Sequence, residues 1–258
     1  MSVMRLRCSS LDKLFDCPMS VIGTGMTPIG SQGGPARIGK VAHDPLADLV
    51  AGGDWDLAGA ANRHALAEDE QEEVRRLVGY GEFAWGELHK YLPSPKVECA
   101  LESDAMASAS GAAMLDGTAD VVSPVGSDRG VFVDWKSGWK DDGYEHQGFG
   151  YATCLWHALG RPTGGTITGV FVFLRHRYYR VVKYRPQDIE AWCGDLTRNV
   201  LARASRGEFS PGATCGVCDY FADCKARQRV AEGVIDTLLL GETHEANKQY
   251  EQWLAGVK

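Results

Sequence analysis

Residues 115–138 limit most strongly what this chain can become. Leu115-Asp-Gly-Thr-Ala-Asp-Val-Val and Val131-Phe-Val-Asp-Trp-Lys-Ser-Gly flank a turn-rich Ser-Pro-Val-Gly-Ser-Asp-Arg-Gly break. β-branched runs on both sides of such a break predict two antiparallel strands joined by a short loop. Side chains alternate along a strand, so Asp134 and Lys136 share one face while Val133 and Trp135 share the other. An apolar face requires a layer packed against it, and the ionic face is free for chemistry. With Asp120 on the neighbouring strand, the carboxylates can bind a hard divalent cation through oxygen. That arrangement suits cleavage of a phosphodiester.

The elements around this hairpin predict a larger sheet. Lys96-Val-Glu-Cys-Ala-Leu-Glu102 alternates like a strand and opens a three-stranded meander, with Glu98 on one face beside Ala100 and Glu102. Ile167–Leu174 and Tyr178–Tyr184 read as two more strands. Helices are expected over residues 145–160, where Gln147 and Tyr151 are four apart and share a face, and from Pro186 to about Gly207. Glycines at 148 and 150 lower helix propensity and point to close packing. Residues 57–92 read as one or two helices with a solvated acidic run, Glu68 to Glu73. Near the start, Ser9 or Ser10 would cap a short helix with Leu11, Leu14 and Phe15 on its buried side, ended by Pro18. Residues 23–36 are expected to be a loop. His43 lies in the next helix, which Pro45 must kink or restart.

Hydrophobic residues make up 44% of the 258, enough for a sizeable core. No apolar run reaches the length of a membrane span, and the first residues lack the apolar core of a signal peptide, so the cytoplasm is expected. The net charge is −7, but residues 41–120 hold 16 acids and 5 bases whereas 161–230 hold 6 acids and 12 bases. A basic half can face phosphates. Within it, Arg175, Arg177, Tyr178 and Tyr179 combine guanidiniums with aromatic rings, as single-strand binders do. There is no phosphate-binding G-x-x-x-x-G-K-[ST] loop, so nothing here powers unwinding.

The last signal is Cys215-x2-Cys218-x5-Cys224, which offers three thiolates, with Cys17 as a fourth. Such a set can hold tetrahedral Zn²⁺ or a [4Fe–4S] cluster. Cys8, Cys99, Cys154 and Cys193 fall outside this spacing and read as small, mostly buried residues.

Taken in order, Gly117-Thr-Ala-Asp120, Asp134-Trp-Lys136 and Gln147-Gly-Phe-Gly-Tyr151 resemble the three motifs of the PD-(D/E)XK nucleases in their RecB-like branch. The Cys17…Cys215-x2-Cys218-x5-Cys224 pattern resembles the iron–sulfur members, the AddB helicase-nucleases and the CRISPR-associated Cas-four exonucleases. The resemblance covers roughly residues 9–227. It implies an α/β fold, a mixed central sheet flanked by helices, over residues 1–230; residues 231–258 lie outside the resemblance and read as a helical tail. It further implies that Asp120, Asp134, the Trp135 carbonyl and His43 ligate Mg²⁺ or Mn²⁺, and that Lys136 acts on the attacking water and the phosphate. Gln147 and Tyr151 would order the site, and the four cysteines would hold a structural [4Fe–4S] cluster. The expected activity is hydrolysis at DNA ends, on single strands or ends with single-stranded character and away from membranes. Protein partners or a second copy of the chain are possible companions. The alternative is a DNA-binding or adaptor subunit of a recombination, repair or CRISPR-adaptation complex.

Overall fold

The computed structural model describes residues 4–22, 34–104 and 113–210, together with 215, 218, 220, 224–226 and 228. The expected tail at 231–258 lies outside them. The chain divides into two compact units, one of Met1–Ser9 with Gln32–Cys193 and one of Ser10–Ser31 with Gly194–Lys258.

The first unit is built on a six-stranded mixed sheet: β1 (Met4–Arg7), β2 (Lys96–Ser103), β3 (Ala113–Val125), β4 (Arg129–Lys136), β5 (Ile167–Phe173) and β6 (Tyr178–Tyr184). β3 is antiparallel to β2 and to β4, with Val121 opposite both Val97 and Val133. The predicted hairpin is therefore present, with a turn tighter than the expected break, since β3 runs on to Val125 and β4 resumes at Arg129. β4 and β5 are parallel, and β5 and β6 form a second hairpin. A parallel pair needs a crossover, supplied here by a helix at Glu145–Ala158.

β1 was not anticipated. It is only four residues long and pairs in parallel with Ala113–Asp116. Leu115 and Asp116 pair with both β1 and β2, while Val121 and Val122 pair with both β2 and β4. Because a strand has two edges, β1 and β4 must lie end to end along the same edge of β3. Residues 117–120 between them have no ladder partner on that side, and this is where the site forms.

In chain order, α1 is Leu11–Asp16, α2 Met19–Ile22, α3 Gly34–Val50, α4 Leu57–Arg63, α5 Glu68–Leu88, α6 the crossover Glu145–Ala158, and α7 Pro186–Asp195. On α5, Val74, Leu77, Val78, Ala84 and Leu88 recur at helical spacing and are buried. They pack with Val41, Ala42 and Leu46 of α3 against Val121, Val133, Trp135 and Val170 of the sheet. Aromatic rings fill the opposite layer: Phe132 lies edge-on to Tyr151 and Phe171 and stacks on Tyr184.

Two expectations need correction. Helix α3 starts at Gly34, inside the segment read as a loop, with Pro35 in the first turn where no N–H bond is lost. It also continues unbroken through Pro45, which leaves only the Val41 carbonyl without its helical donor. The acidic run is largely solvated, as expected, and its first residues also serve the helix start. Glu68, Asp69 and Glu70 lie in the first turn of α5, where the helix dipole favours them, and Glu70 accepts from the Ala67 N–H at 3.0 Å.

In the second unit, α1 buries Leu11 and Leu14, and a π-helical turn at Leu196–Leu201 buries Leu196 and Val200. Ser10 occupies the N-cap position of α1 but makes no side-chain capping bond. The Ser20 hydroxyl lies 2.7 Å from the Cys17 carbonyl and 3.0 Å from that of Lys13, and donates there to fix the bend at Pro18.

Candidate nuclease centre

A cleft of about 490 Å³ in the first unit is lined by His43, Asp120, Asp134, Lys136, Gln147 and Tyr151, together with the Trp135 backbone and the cation Arg7. All seven residues expected to form the metal and catalytic centre from sequence therefore meet in one place. Each arrives for a local reason. Asp134 and Lys136 come from the ionic face of β4, Gln147 and Tyr151 from one face of α6, and His43 from α3. Asp120 comes from the unpaired stretch of β3.

That stretch is held open by substitutes for a strand. Tyr151 Oη donates to the Thr118 carbonyl at 2.8 Å, filling the missing ladder bond. A Cβ on Gly117 would meet Cys8 Cβ and Tyr151 Cε1 at 3.0 Å each, so any side chain there would have to push these neighbours back. Asp120 is then free to reach sideways. Its Oδ2 accepts from the Trp135 N–H at 2.6 Å and its Oδ1 lies 3.0 Å from His43 Nδ1.

Glu98 joins this pair. The β2–β3 register puts it opposite Asp120, although the two are not hydrogen bonded as a ladder pair, and its φ of 47° is left-handed. For a non-glycine residue that costs of order 1 to 3 kcal/mol, strain of the kind that collects at functional sites. Ligand atoms from His43, Glu98 and Asp120, one from each, all lie within 4.8 Å of one another. The role of Glu98 was open in the sequence, because an edge-strand carboxylate looks the same with or without a metal to face.

Lys136 and Asp134 form the second half. Lys136 Nζ is 2.6 Å from Asp134 Oδ2, donates to Gln147 Oε1 at 2.7 Å, and sits 4.1 Å from the centroid of the Tyr144 ring. Gln147 Nε2 spans to Asp134 Oδ1 at 3.3 Å and Tyr151 Oη at 3.2 Å. Asp134 Oδ2 is buried and faces the Lys136 ammonium as its counter-ion.

The electrostatics of the cleft share one cause. Burial raises the Asp134 pKa, Lys136 opposes this, and Asp120 adds to it. Burial also raises Glu98, with Asp120 reinforcing it. For His43 burial works against protonation, but the hydrogen bond and charge of Asp120, with Asp134 and Glu98, outweigh it and the pKa rises. All three groups thus hold protons more tightly because too much negative charge is gathered in too little water. A cation relieves that. The donor set of one imidazole and carboxylates, with Asp134 nearby, fits a hard divalent ion.

The basic turn is elsewhere. Arg175 and Arg177 line a separate cleft of about 290 Å³ with Glu73, Arg76 and Trp139. Arg175 is engaged, ion-paired with Glu73 and donating to the Ser137 carbonyl at 2.6 Å. Tyr178 stacks on Phe173 and donates to Asp141 at 3.0 Å, and Tyr179 is exposed. Arg7 was missed because β1 was missed, although Met-Arg-Leu-Arg with Leu6 buried carries a faint period-two signal.

In the second unit, Cys17, Cys215, Cys218 and Cys224 line one small cavity with Met19, and Ser210 N–H points at Cys17 Sγ at 3.4 Å. Burial pushes the Cys218 thiol pKa up, with the other three sulfurs adding to the rise. Cys8 and Cys154 are both buried in the first unit, and contact with Cys154 together with burial pushes the Cys8 thiol pKa up.

A mixed sheet that brings an acid, an Asp-x-Lys pair and a helical glutamine into one cleft defines a class of phosphodiester-cleaving enzyme. The chain belongs to the PD-(D/E)XK nuclease superfamily, whose model matches residues 24–225. Nucleases of this superfamily use divalent metals, and the His43–Glu98–Asp120 group can bind one. No curated protein matches the chain. Among solved structures, one described as the crystal structure of SSO0001 is 13% identical, with a TM-score of 0.37 over 88% of each chain, a likeness too weak to bear on function. Among the described residues no helix is long and apolar enough to cross a membrane.

Proposed function

We propose that the protein is a Mg²⁺- or Mn²⁺-dependent deoxyribonuclease of the RecB-like branch that hydrolyses DNA at ends with single-stranded character. The observation that carries this is geometric: Asp120, Asp134, Lys136 and Gln147 line one cleft, and ligand atoms of His43, Glu98 and Asp120 lie within 4.8 Å of one another. His43, Glu98 and Asp120 would hold the ion in this reading, with Asp134 and the Trp135 carbonyl as further oxygen donors. The ion supplies Lewis-acid neutralisation of charge on the phosphate. Lys136 orients the attacking water and meets the negative charge that develops, because Asp134, Gln147 and the Tyr144 ring fix its ammonium. Tyr151 and Gln147 keep the edge of β3 open and the lysine aimed.

The same proposal treats residues 1–230 as one nuclease domain, with a tail at 231–258 and a structural [4Fe–4S] cluster on Cys17, Cys215, Cys218 and Cys224. Their common cavity supports this. An iron–sulfur protein is brown, whereas one holding Zn²⁺ in the same place is colourless. The enzymatic reading is preferred over an adaptor because every side chain the chemistry needs is in the cleft.

End-labelled single- and double-stranded DNA incubated with Mg²⁺, Mn²⁺ or EDTA tests it. Cleavage is expected with either ion, none with EDTA, and none with Asp120→Ala or His43→Ala in Mg²⁺. If the wild type leaves both DNAs intact with both ions, the nuclease reading is wrong.

A further inference from the structure

The second cleft of the first unit is unexplained by the metal centre. Trp139 is 72% exposed, more than any other large apolar side chain among the described residues. It is also held still. The Arg175 guanidinium lies 4.5 Å from its ring centroid, and His176 Nε2 meets its backbone carbonyl at 2.8 Å. Arg175 is itself fixed, its side chain only 8% exposed and tied to Glu73 and the Ser137 carbonyl. One side of the indole thus rests on an immobilised cation, and the ring still presents most of its surface to solvent. Around it stand Arg76 and Arg177, both exposed, so three guanidiniums face one carboxylate and the cleft is net positive. Trp139 follows Lys136 by three residues, at most about 10 Å of chain.

An exposed, rigid aromatic ring framed by cations is the pairing that holds a flexible nucleic-acid strand, with bases stacking on the ring and phosphates meeting the guanidiniums. We infer that the Trp139–Arg76–Arg177 cleft is a subsite for one unpaired nucleobase and its phosphate, next to the bond that is cut. This deepens the nuclease reading and rests on it. It also moves single-strand recognition from the tyrosines of the β5–β6 turn to Trp139. The ring beside the cations favours a strand over an acidic peptide, because each nucleotide supplies both a flat π-face and a phosphate.

Fluorescence anisotropy with a short labelled oligo-dT, in EDTA so that no cutting occurs, reads the subsite directly. Stacking of one base predicts that Trp139→Ala weakens binding about 5- to 150-fold and that Trp139→Phe recovers part of the loss. Moving a single abasic site along the strand should cost the wild type a similar factor at one position, and Trp139→Ala nothing further there. Arg76→Ala and Arg177→Ala should each reduce the slope of log affinity against log salt by about 0.7. Melting of each variant at the wild-type temperature confirms that the fold is kept. If Trp139→Ala binds like the wild type, or keeps the wild-type abasic profile, the subsite is refuted. Reading the wild type for binding in EDTA and for cutting in Mg²⁺ separates the two ideas. Normal binding by Trp139→Ala beside a wild type that cuts overturns the subsite alone, whereas a wild type that binds through Trp139 but never cuts overturns the nuclease reading alone.

Discussion

Replacing Lys136 with methionine removes the charge and keeps most of the length, and the site predicts a cost in stability as well as activity. Asp134 lies in the interior with its side chain 6% exposed, and Lys136 Nζ at 2.6 Å is its counter-ion. Breaking a buried ion pair by deleting one partner costs about 3 to 5 kcal/mol, because the remaining charge is left in low dielectric. That is a large part of a typical net stability of about 5 to 15 kcal/mol. The cost depends on pH with a defined sign. The folded-state pKa of Asp134 is already raised by burial, so folding binds its proton more tightly than the unfolded chain does. Such a group adds stability below its unfolded value, near the ordinary carboxylate range, and loses it as pH rises through the folded value. Without Lys136 to oppose burial the folded value climbs further, so the penalty is greatest in mildly alkaline buffer and shrinks in mild acid. Urea denaturation of the metal-free protein at both pH values measures this. Lys136→Met should have a lower midpoint at alkaline pH, should recover towards the wild type in acid, and should be rescued by adding Asp134→Leu, which removes the orphan. Equal stability of Lys136→Met and the wild type at both pH values would refute the argument that this pair is buried and coupled.

Gly148→Ala should destabilise although alanine is the better helix former by about 1 kcal/mol. Its Cβ would meet Tyr184 Oη and come within 3.0 Å of Phe171 Cζ, so overpacking of about 1 to 3 kcal/mol wins, and a higher melting temperature would contradict this packing. On the proposed iron–sulfur cluster, Cys218→Ser should bleach the protein and lower its melting temperature, since a centre joining Cys17 to Cys215 would close a loop of nearly two hundred residues, worth about 5 kcal/mol on the loop-entropy estimate. A colourless variant that melts like the wild type would remove the staple.

What could be read in the sequence was what is local. Asp134-x-Lys136 declares its own face through the strand period, Gln147 and Tyr151 declare theirs through the helix period, and the Cys-x2-Cys-x5-Cys spacing needs no fold to be noticed. The parts that were hidden depend on pairings distant in sequence. Four residues of Met-Arg-Leu-Arg become β1 only because Ala113–Asp116 offers an edge, and without β1 neither Arg7 nor the gap at residues 117–120 is visible. Pro45 misled in the opposite direction. Its local rule predicts a break, but a proline removes one helical bond, and the burial of Val41, Ala42 and Leu46 against the sheet outweighs one bond.

The gap also explains why the centre has its particular composition. A fully paired β3 would lock Asp120 into the ladder and give its carboxylate a single face to point to. Ending β1 at Arg7 and starting the β3–β4 pairing at Val121 frees one short stretch, and Tyr151, Gly117 and Cys8 then have to close it against collapse. The cleft gains an acid that touches two layers at once, the Trp135 amide in the sheet and His43 on α3. Glu98 adopts its left-handed φ opposite the same residue, so the strain in β2 and the gap in β3 belong to one device for gathering negative charge. The Asp-x-Lys signature marks where such chemistry can happen, and the interrupted edge beside it makes room for the ion and the phosphate.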